Sequence, residues 1–215
     1  MAAKTSFAAW PCTIARGVGV VGDAWTLLIL RESFFFGARR YADFADGLLI
    51  PSNILSDRLK KLVADGVLDK CEVPGRSRHE YRPTAKGVEL WPVVAAIAAW
   101  GNRWVTDEDL GEIPLEHRTC GSRLDHDHCP GCGLRPPLEE VGFAAGPLLD
   151  VAAFLLARWA RRDFAAGGDT TLAVTLLRKL QYAGCLDRSE LLRLLSERRV
   201  DKRAVAQLVA LLPAA

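Results

Sequence analysis

Hydrophobic positions spaced three and four apart run through most of this chain, and a strand-like alternation of apolar and polar residues appears on either side of one turn. Residues 24–36, "AWTLLILRESFFF", carry Trp25, Leu28 and Ile29 at helical spacing and predict a buried helix. "RRYADFADGL" predicts a shorter one, with Tyr41, Phe44 and Ala45 on one side and Gly47 as its stop. The sharpest pattern is "PSNILSDRLKKLVADG": Pro51 and Ser52 open it, Leu55, Leu59 and Leu62 form an inward stripe, and Gly66 stands where a left-handed cap closes a helix. "VLDKCEV" and "HEYRPT" alternate apolar and polar residues on either side of "PGRSR", which predicts two strands and a turn. Thr84 then caps a helix through "AKGVELWPVVAAIAAWGNRW", with Pro92 as an internal irregularity. The second half of that helix, with Val93, Val94, Ile97, Trp100 and Trp104 among alanines, is apolar nearly all round. Such a helix is buried on more than one side, and the second covering surface is expected from another subunit.

The order helix, helix, helix, hairpin, helix over residues 13–104 is that of a winged helix-turn-helix. After it, "TDEDLGEIPLE" is acidic and loop-like, and "HRTCGSRLDHDHCPGCGLRPP" is rich in Gly, Pro and Cys. From Pro147 onward four helical patterns follow, each opened by Asp or Pro. The expected fold is mainly α with a small β hairpin, in three parts. A winged helix-turn-helix DNA-binding and dimerisation domain occupies 1–104, an acidic linker and zinc-ribbon-like Cys/His segment 105–146, and a C-terminal helical region 147–215. The last region carries apolar stripes such as Leu148, Val151, Phe154 and Leu155, which imply packing and leave its role open. Charge follows the same division. Residues 1–104 hold 14 Lys and Arg against 10 Asp and Glu, residues 105–146 hold 3 against 9, and residues 147–215 hold 11 against 7.

With 50% hydrophobic and 25% charged residues, the 215-residue chain has the profile of a soluble globular protein rather than a disordered one. No apolar run approaches the ~20 residues that span a bilayer. No charged segment leads into an apolar one at the amino end, so the chain is expected in the cytoplasm, without membrane association. Of six cysteines, Cys120, Cys129 and Cys132 crowd into thirteen residues, a pattern that favours metal binding over a disulfide framework. A net charge of +2 does not by itself argue for nucleic acid, so that argument rests on local placement.

The placement is favourable in the helix opened by Ser52. With its leucines inward, helical geometry turns Asn53, Asp57 and Lys60 outward, with Ser52 and Ser56 beside them. Asn and Ser can bond base edges in a major groove that admits one helix, and Lys60 and Lys61 can reach phosphates. Asp57 is an awkward neighbour for phosphate and would have to meet a cytosine amino group or pair with a nearby base. The hairpin tip carries Arg76 and Arg78, suited to flanking phosphates or a narrow minor groove.

The blocks "CTIARGVGVVGDAWTLLILRESFFFGARRYADF", "IPSNILSDRLKKLVADGVLDK", "RHEYRPTAKG" and "AAWGNRW", in this order over residues 10–104, resemble the HxlR family of bacterial winged-helix transcription regulators, relatives of the MarR group. The resemblance implies a homodimer joined through its terminal helices, bound to double-stranded DNA at a pseudo-palindromic operator near a promoter and acting as a repressor. Cys12 falls where several family members carry a cysteine that senses oxidants or electrophiles, which implies a redox or small-molecule effector. A thiol that only packs is the other reading of Cys12. Gly17 and Gly19 depart from the family's helix formers, at about 1 kcal/mol each, so the first helix must rely on packing. The same glycines make "GVGVVG" a formal GxGxxG, but "TIAR" is too short for a preceding strand and no βαβ unit follows, so a dinucleotide site is rejected.

In "HRTCGSRLDHDHCPGCG", His117 and Cys120 form one knuckle and Cys129 and Cys132 another, a donor set that suits tetrahedral zinc. Only eight residues separate Cys120 from Cys129, so a tight hairpin is required. His126 or His128 can stand in for His117, and unliganded thiols are the alternative to a structural metal. Four nearby ligands favour a closed structural site over a catalytic one, and no GxSxG, HExxH or P-loop occurs, so no enzyme is expected. The alternative to a DNA-binding regulator is a winged-helix protein-interaction module with a structural zinc site.

Overall fold

The structure, a computed structural model, describes residues 7–73, 79–105, 112–160 and 170–212. The chain divides into two compact units, Met1–Val94 and Ala95–Ala215. No single helix among the described residues is long and apolar enough to cross a membrane.

The first unit holds α1 (Thr13–Val21), α2 (Ala24–Phe35), α3 (Tyr41–Leu48), α4 (Ser52–Ala64), β1 (Leu68–Glu72), β2 (His79–Pro83) and the short α5 (Ala85–Val88). Its core is built from Ile29, Leu30 and Phe35 of α2, Phe44 of α3, and Leu55, Leu59 and Leu62 of α4, all at most 1% exposed. The stripe of three leucines therefore points where the periodicity aims it. A bidentate ion pair fixes the rotation of α4: the Arg58 guanidinium donates to both Asp23 carboxylate oxygens, at 2.7 and 2.9 Å. Asp23 is also the N-cap of α2, accepting from the Thr26 N–H at 3.2 Å. One carboxylate thus ends one helix and orients another.

Gly66 adopts the left-handed conformation after α4, with φ +68°. β1 and β2 pair antiparallel from Leu68 opposite Pro83 to Glu72 opposite His79. The hairpin tip with Arg76 and Arg78 lies outside the described residues. Gly47 does not stop α3: the helix continues to Leu48, and Leu49 takes the left-handed position at φ 50°.

Thr84 caps as its sequence context predicts, its hydroxyl accepting from the Gly87 N–H at 3.0 Å. Gly87 is needed for the close approach that follows, because a Cβ there would sit 2.1 Å from the Val67 carbonyl oxygen. The expected single helix beyond Thr84 is broken into α5 and α6 (Trp91–Trp104). Pro92 accounts for the break. It has no N–H for the Val88 carbonyl and its ring would clash there, whereas in the first turn of a new helix neither penalty applies.

In the second unit, β3 (Leu115–His117), β4 (Ser122–Arg123) and β5 (Val141–Phe143) form a three-stranded antiparallel sheet in the order β4-β3-β5, which the hydrophobic pattern does not foretell. A 3-10 turn at Leu138–Glu140 leads into β5. Helices α7 (Ala145–Trp159), α8 (Thr171–Tyr182), α9 (Arg188–Glu197) and α10 (Lys202–Leu211) follow. Leu149, Leu156, Leu177, Leu180, Leu195 and Leu208 are among the residues buried there. Asp187 and Asp201 cap α9 and α10 through their carboxylates, as their positions before the apolar patterns predict.

The double role of Asp23 gives a measurable prediction. Asp23→Ala should cost about 1–2 kcal/mol by chemical denaturation, because cap and ion pair are both lost, and Asp23→Asn less, because an acceptor for Thr26 remains. The Arg58 guanidinium holds the Asp23 carboxyl below its ordinary value of 3.8. Its contribution should therefore be full above pH ~4 and fade as pH falls through the lowered folded-state value.

Candidate nucleic-acid interface and metal centre

The outward face of α4 is a single stripe. Asn53, Asp57, Lys60 and Ala64 are exposed along it and Ser52 is exposed at its amino end, on the side opposite Leu55, Leu59 and Leu62. Ser56 is half-buried because its hydroxyl donates to the Tyr41 hydroxyl at 3.4 Å, while Tyr41 donates to the Ser52 carbonyl at 2.9 Å. The first turn of α4 is therefore held by a tyrosine of α3. Lys61 is half-buried and paired with Asp65, one turn on, so its ammonium is less free for phosphate than that of Lys60.

Beside this stripe lie two clefts, of about 310 and 450 Å³, that share Tyr41, Lys70 and Tyr81. The first is completed by Ser56 and Lys60 among others, the second by Arg40, Ala42 and His79. Among the described residues, no carboxylate lines either one. Lys70 faces this region because it pairs across the hairpin with Tyr81, whose ring meets Phe44 edge-on at 6.4 Å. Sequence periodicity marks the α4 stripe but misses Arg40, Tyr41, Lys70 and His79, which come together only when the hairpin folds back beside α3.

Cys12 is exposed and is the N-cap of α1, its sulfur accepting weakly from the Ala15 N–H at 3.5 Å.

In the second unit, His117, Cys120, Cys129 and Cys132 converge, their donor atoms all within 4.8 Å of one another. His117 ends β3 and Cys120 follows in the turn to β4, where the N–H of Gly121 bonds the His117 carbonyl at 2.8 Å. The tight hairpin is present: Asp125 and His128 bond each other through both backbone groups, and His126 at its tip has φ 56°. The second knuckle closes through the Gly133 N–H to the Cys129 carbonyl at 2.9 Å. A Cβ on Gly131, where the knuckles meet, would lie 2.2 Å from the Ser122 hydroxyl oxygen, so that hydroxyl would have to move to admit a larger residue. His117, rather than His126 or His128, joins the cluster; the exposed His126 ring contacts Asp125 instead, at 2.8 Å.

The donor set fits a structural zinc-type metal. Around zinc with Zn–S near 2.3 Å, tetrahedral donors lie about 3.8 Å apart. Here His117 Nδ1 is 3.3 and 3.4 Å from the sulfurs of Cys120 and Cys132, and the Cys120 and Cys129 sulfurs are 3.5 Å apart. His117 and Cys129 are buried and Cys120 and Cys132 exposed. The thiols are unequal. Hydrogen bonds from the Ser122 hydroxyl and backbone N–H lower Cys120 to about 6, whereas its bond with Cys120 raises Cys132 to about 11. The Glu140 carboxylate, 2.8 Å from His117 Nε2, raises His117 to about 9 and is itself lowered. Glu140 is a partner that ligand spacing does not reveal, being 23 residues from His117.

The family model for the HxlR-like helix-turn-helix matches residues 20–109. Rv3095, an uncharacterized HTH-type transcriptional regulator of Mycobacterium tuberculosis, is 39% identical over 139 residues, which is 63% of this chain and 86% of the relative. The chain belongs to the HxlR family. It is a DNA-binding helix-turn-helix transcriptional regulator, of a class without catalytic activity. A second uncharacterized HTH-type regulator, sll1512 of Synechocystis, is 34% identical to this HxlR protein over 101 residues, 45% of this chain and 73% of the relative. The crystal structure of PA1607, described as a candidate transcription factor, superposes with a TM-score of 0.54 at 34% identity, covering 63% of this chain and 96% of PA1607. The Rv3095 match is too long to end with the helix-turn-helix at residue 109, even if it begins at the first residue, and so runs into the segment that holds the Cys/His cluster.

The inequality of the thiols predicts an order of reactivity. After chelation, iodoacetamide at pH 7 should modify Cys120 well before Cys132, and Cys132 should gain reactivity only as pH rises toward 11, as read by peptide mass spectrometry.

Proposed function

We propose that this HxlR protein is a homodimeric, sequence-specific repressor that binds a pseudo-palindromic operator near a promoter, with α4 in the major groove of each half-site. The observation that carries this reading is the division of α4 into a sealed leucine face and an exposed face bearing Ser52, Asn53 and Lys60. In this reading Ser52, Asn53 and Ser56 meet base edges, and Lys60, with a lesser contribution from the paired Lys61, meets phosphate. Arg76 and Arg78 at the hairpin tip take flanking phosphates or the minor groove, a role that rests on their place in the sequence. The clefts beside α4 add Arg40, Lys70 and His79 to the basic surface that DNA would meet.

The dimer reading is supported by apolar surface on two helices, each by itself. Among the described residues, α1 has no buried side chain, although it is apolar and carries two glycines; Ile14 is 76% exposed. A lone helix of nine residues with that composition is not stable in water, so something must cover it. On α6, Trp91, Val94 and Ala95 are buried while Val93, Ile97, Trp100 and Trp104 form an exposed stripe, the last two at 59% and 64%. Oxidant or electrophile input would enter at Cys12, at the start of the helix proposed for the interface.

We also infer that His117, Cys120, Cys129 and Cys132 hold a structural zinc ion. Bound there, zinc would cross-link the turn after β3 to the loop at 129–132, with all four positions filled by protein.

Fluorescence anisotropy against fragments selected from genomic DNA tests the DNA reading. Arg76→Ala with Arg78→Ala should weaken binding to all sequences and flatten its salt dependence, and Lys70→Gln should do the same to a lesser degree. Asn53→Ala should instead relax base preference at one position. Affinity for duplex DNA that does not fall with salt would favour the protein-interaction module. For the dimer, Trp100→Asp should shift the mass measured by light scattering from two chains toward one and weaken operator binding with it.

A further inference from the structure

His117 is the one member of the metal cluster with two donor atoms to offer, and which of them faces the sulfurs is decided by what holds the other. Its ring is 3% exposed, so neither nitrogen can be left to water. Nδ1 lies 3.3 Å from the Cys120 sulfur and 3.4 Å from the Cys132 sulfur, while Nε2 lies 2.8 Å from Glu140 Oε2. A histidine that ligates a metal is neutral and carries one N–H; the carboxylate can only accept, so in that state the proton belongs on Nε2 and the Nδ1 lone pair is left toward the cysteines.

The local fold puts Glu140 there. β3 and β5 pair with His117 opposite Val141, so the residue just before Val141 arrives beside the histidine ring. The 3-10 turn from Leu138 delivers Glu140 at that point, and its backbone carbonyl accepts from the Arg118 N–H at 2.8 Å. The Thr119 hydroxyl donates to the same carboxylate oxygen at 3.2 Å. Backbone and side chain of Glu140 are thus both anchored to the segment that carries His117.

We propose that Glu140 is a positioning residue for the metal centre: it fixes the His117 tautomer and ring orientation so that the metal is bound through Nδ1. The proposal rests on the reading of the four-residue cluster as a zinc site. Outer partners of this kind hold a ligand in its binding geometry and raise its basicity, and their loss typically lowers metal affinity about 10- to 100-fold.

The test uses the full chain, loaded with zinc and labelled with ¹⁵N at histidine, together with zinc titration against a chromophoric chelator. Long-range ¹H–¹⁵N spectra of the unsubstituted protein should show His117 metal-bound at Nδ1 and protonated at Nε2. Glu140→Ala should lower zinc affinity 10- to 100-fold and lose the single Nδ1-bound signature. Glu140→Gln, whose amide oxygen can still accept the Nε2 proton, should restore the signature and most of the affinity. Binding through Nε2 in the unsubstituted protein, or unchanged affinity in Glu140→Ala, would overturn the proposal while leaving the zinc site standing. Absence of zinc binding by the unsubstituted chain would overturn both. The nitrogen assignment in the unsubstituted protein decides the matter even if Glu140→Ala does not fold.

Discussion

The rotation of α4 about its own axis is the constraint on which the DNA-binding unit depends. A helix that shows one face to the core and the other to solvent has its functional residues chosen by whatever fixes that rotation. Here two interactions do so from different directions. Leu55, Leu59 and Leu62 are sealed against α2 and its neighbours, and Arg58 is clamped by the carboxylate that caps α2. Burial of three leucines supplies several kcal/mol but tolerates some rolling of the helix. The bidentate pair contributes less energy and more direction, because a planar guanidinium meets a carboxylate in few geometries. Tyr41 adds a third restraint at the amino end of α4 by bonding the Ser52 carbonyl. The residues proposed to read base edges lie in that same turn, where a small rotation would matter most.

How far the chain discloses itself depends on the range over which each feature is determined. The three leucines, the Gly66 cap and the Thr84 cap are decided by residues within a turn or two, so their identity and spacing are visible in one dimension. The hairpin is legible because two short stretches of mixed apolar and polar residues flank the Pro-Gly bend at 74–75. β3, β4 and β5 are not: strands of three, two and three residues are too short for alternation to stand out, and their partners arrive from elsewhere in the sequence. Gly47 and Leu49 show a different limit. Glycine is the residue that enters the left-handed region most cheaply, but the left-handed turn falls two residues later, at the exposed Leu49, just before the buried Ile50. Pro92 in the sequence predicts only an irregularity within one helix, whereas its missing N–H and its ring divide that helix in two.

The metal centre shows the same division between near and far. Four donors within sixteen residues could be picked out by residue type and spacing, and the convergence of their side chains agrees with that choice. The exclusion of His126 and His128 could not, because it depends on the direction of a hairpin whose tip carries His126 outward to Asp125. Glu140 was invisible for a stronger reason, since its contact is created by strand register alone.

The small sheet also explains why a cross-link would belong there. Three strands of two or three residues bury few side chains, chiefly Leu115 and Val141, and so little apolar area could hold them by itself. Yet β5 runs directly into α7, and the Ala144 N–H at that junction bonds the Pro114 carbonyl, so the sheet sets where the first C-terminal helix begins. A metal drawing the turn after β3 and the 129–132 loop to one point would add free energy where packing is thin. Because His117 sits in the strand that pairs with β5, that free energy would act on the register of the strand leading into α7. The zinc reading and the order of the C-terminal helices are therefore linked: removal of metal from this site should be felt first at the start of α7, ahead of the leucine-packed helices beyond it.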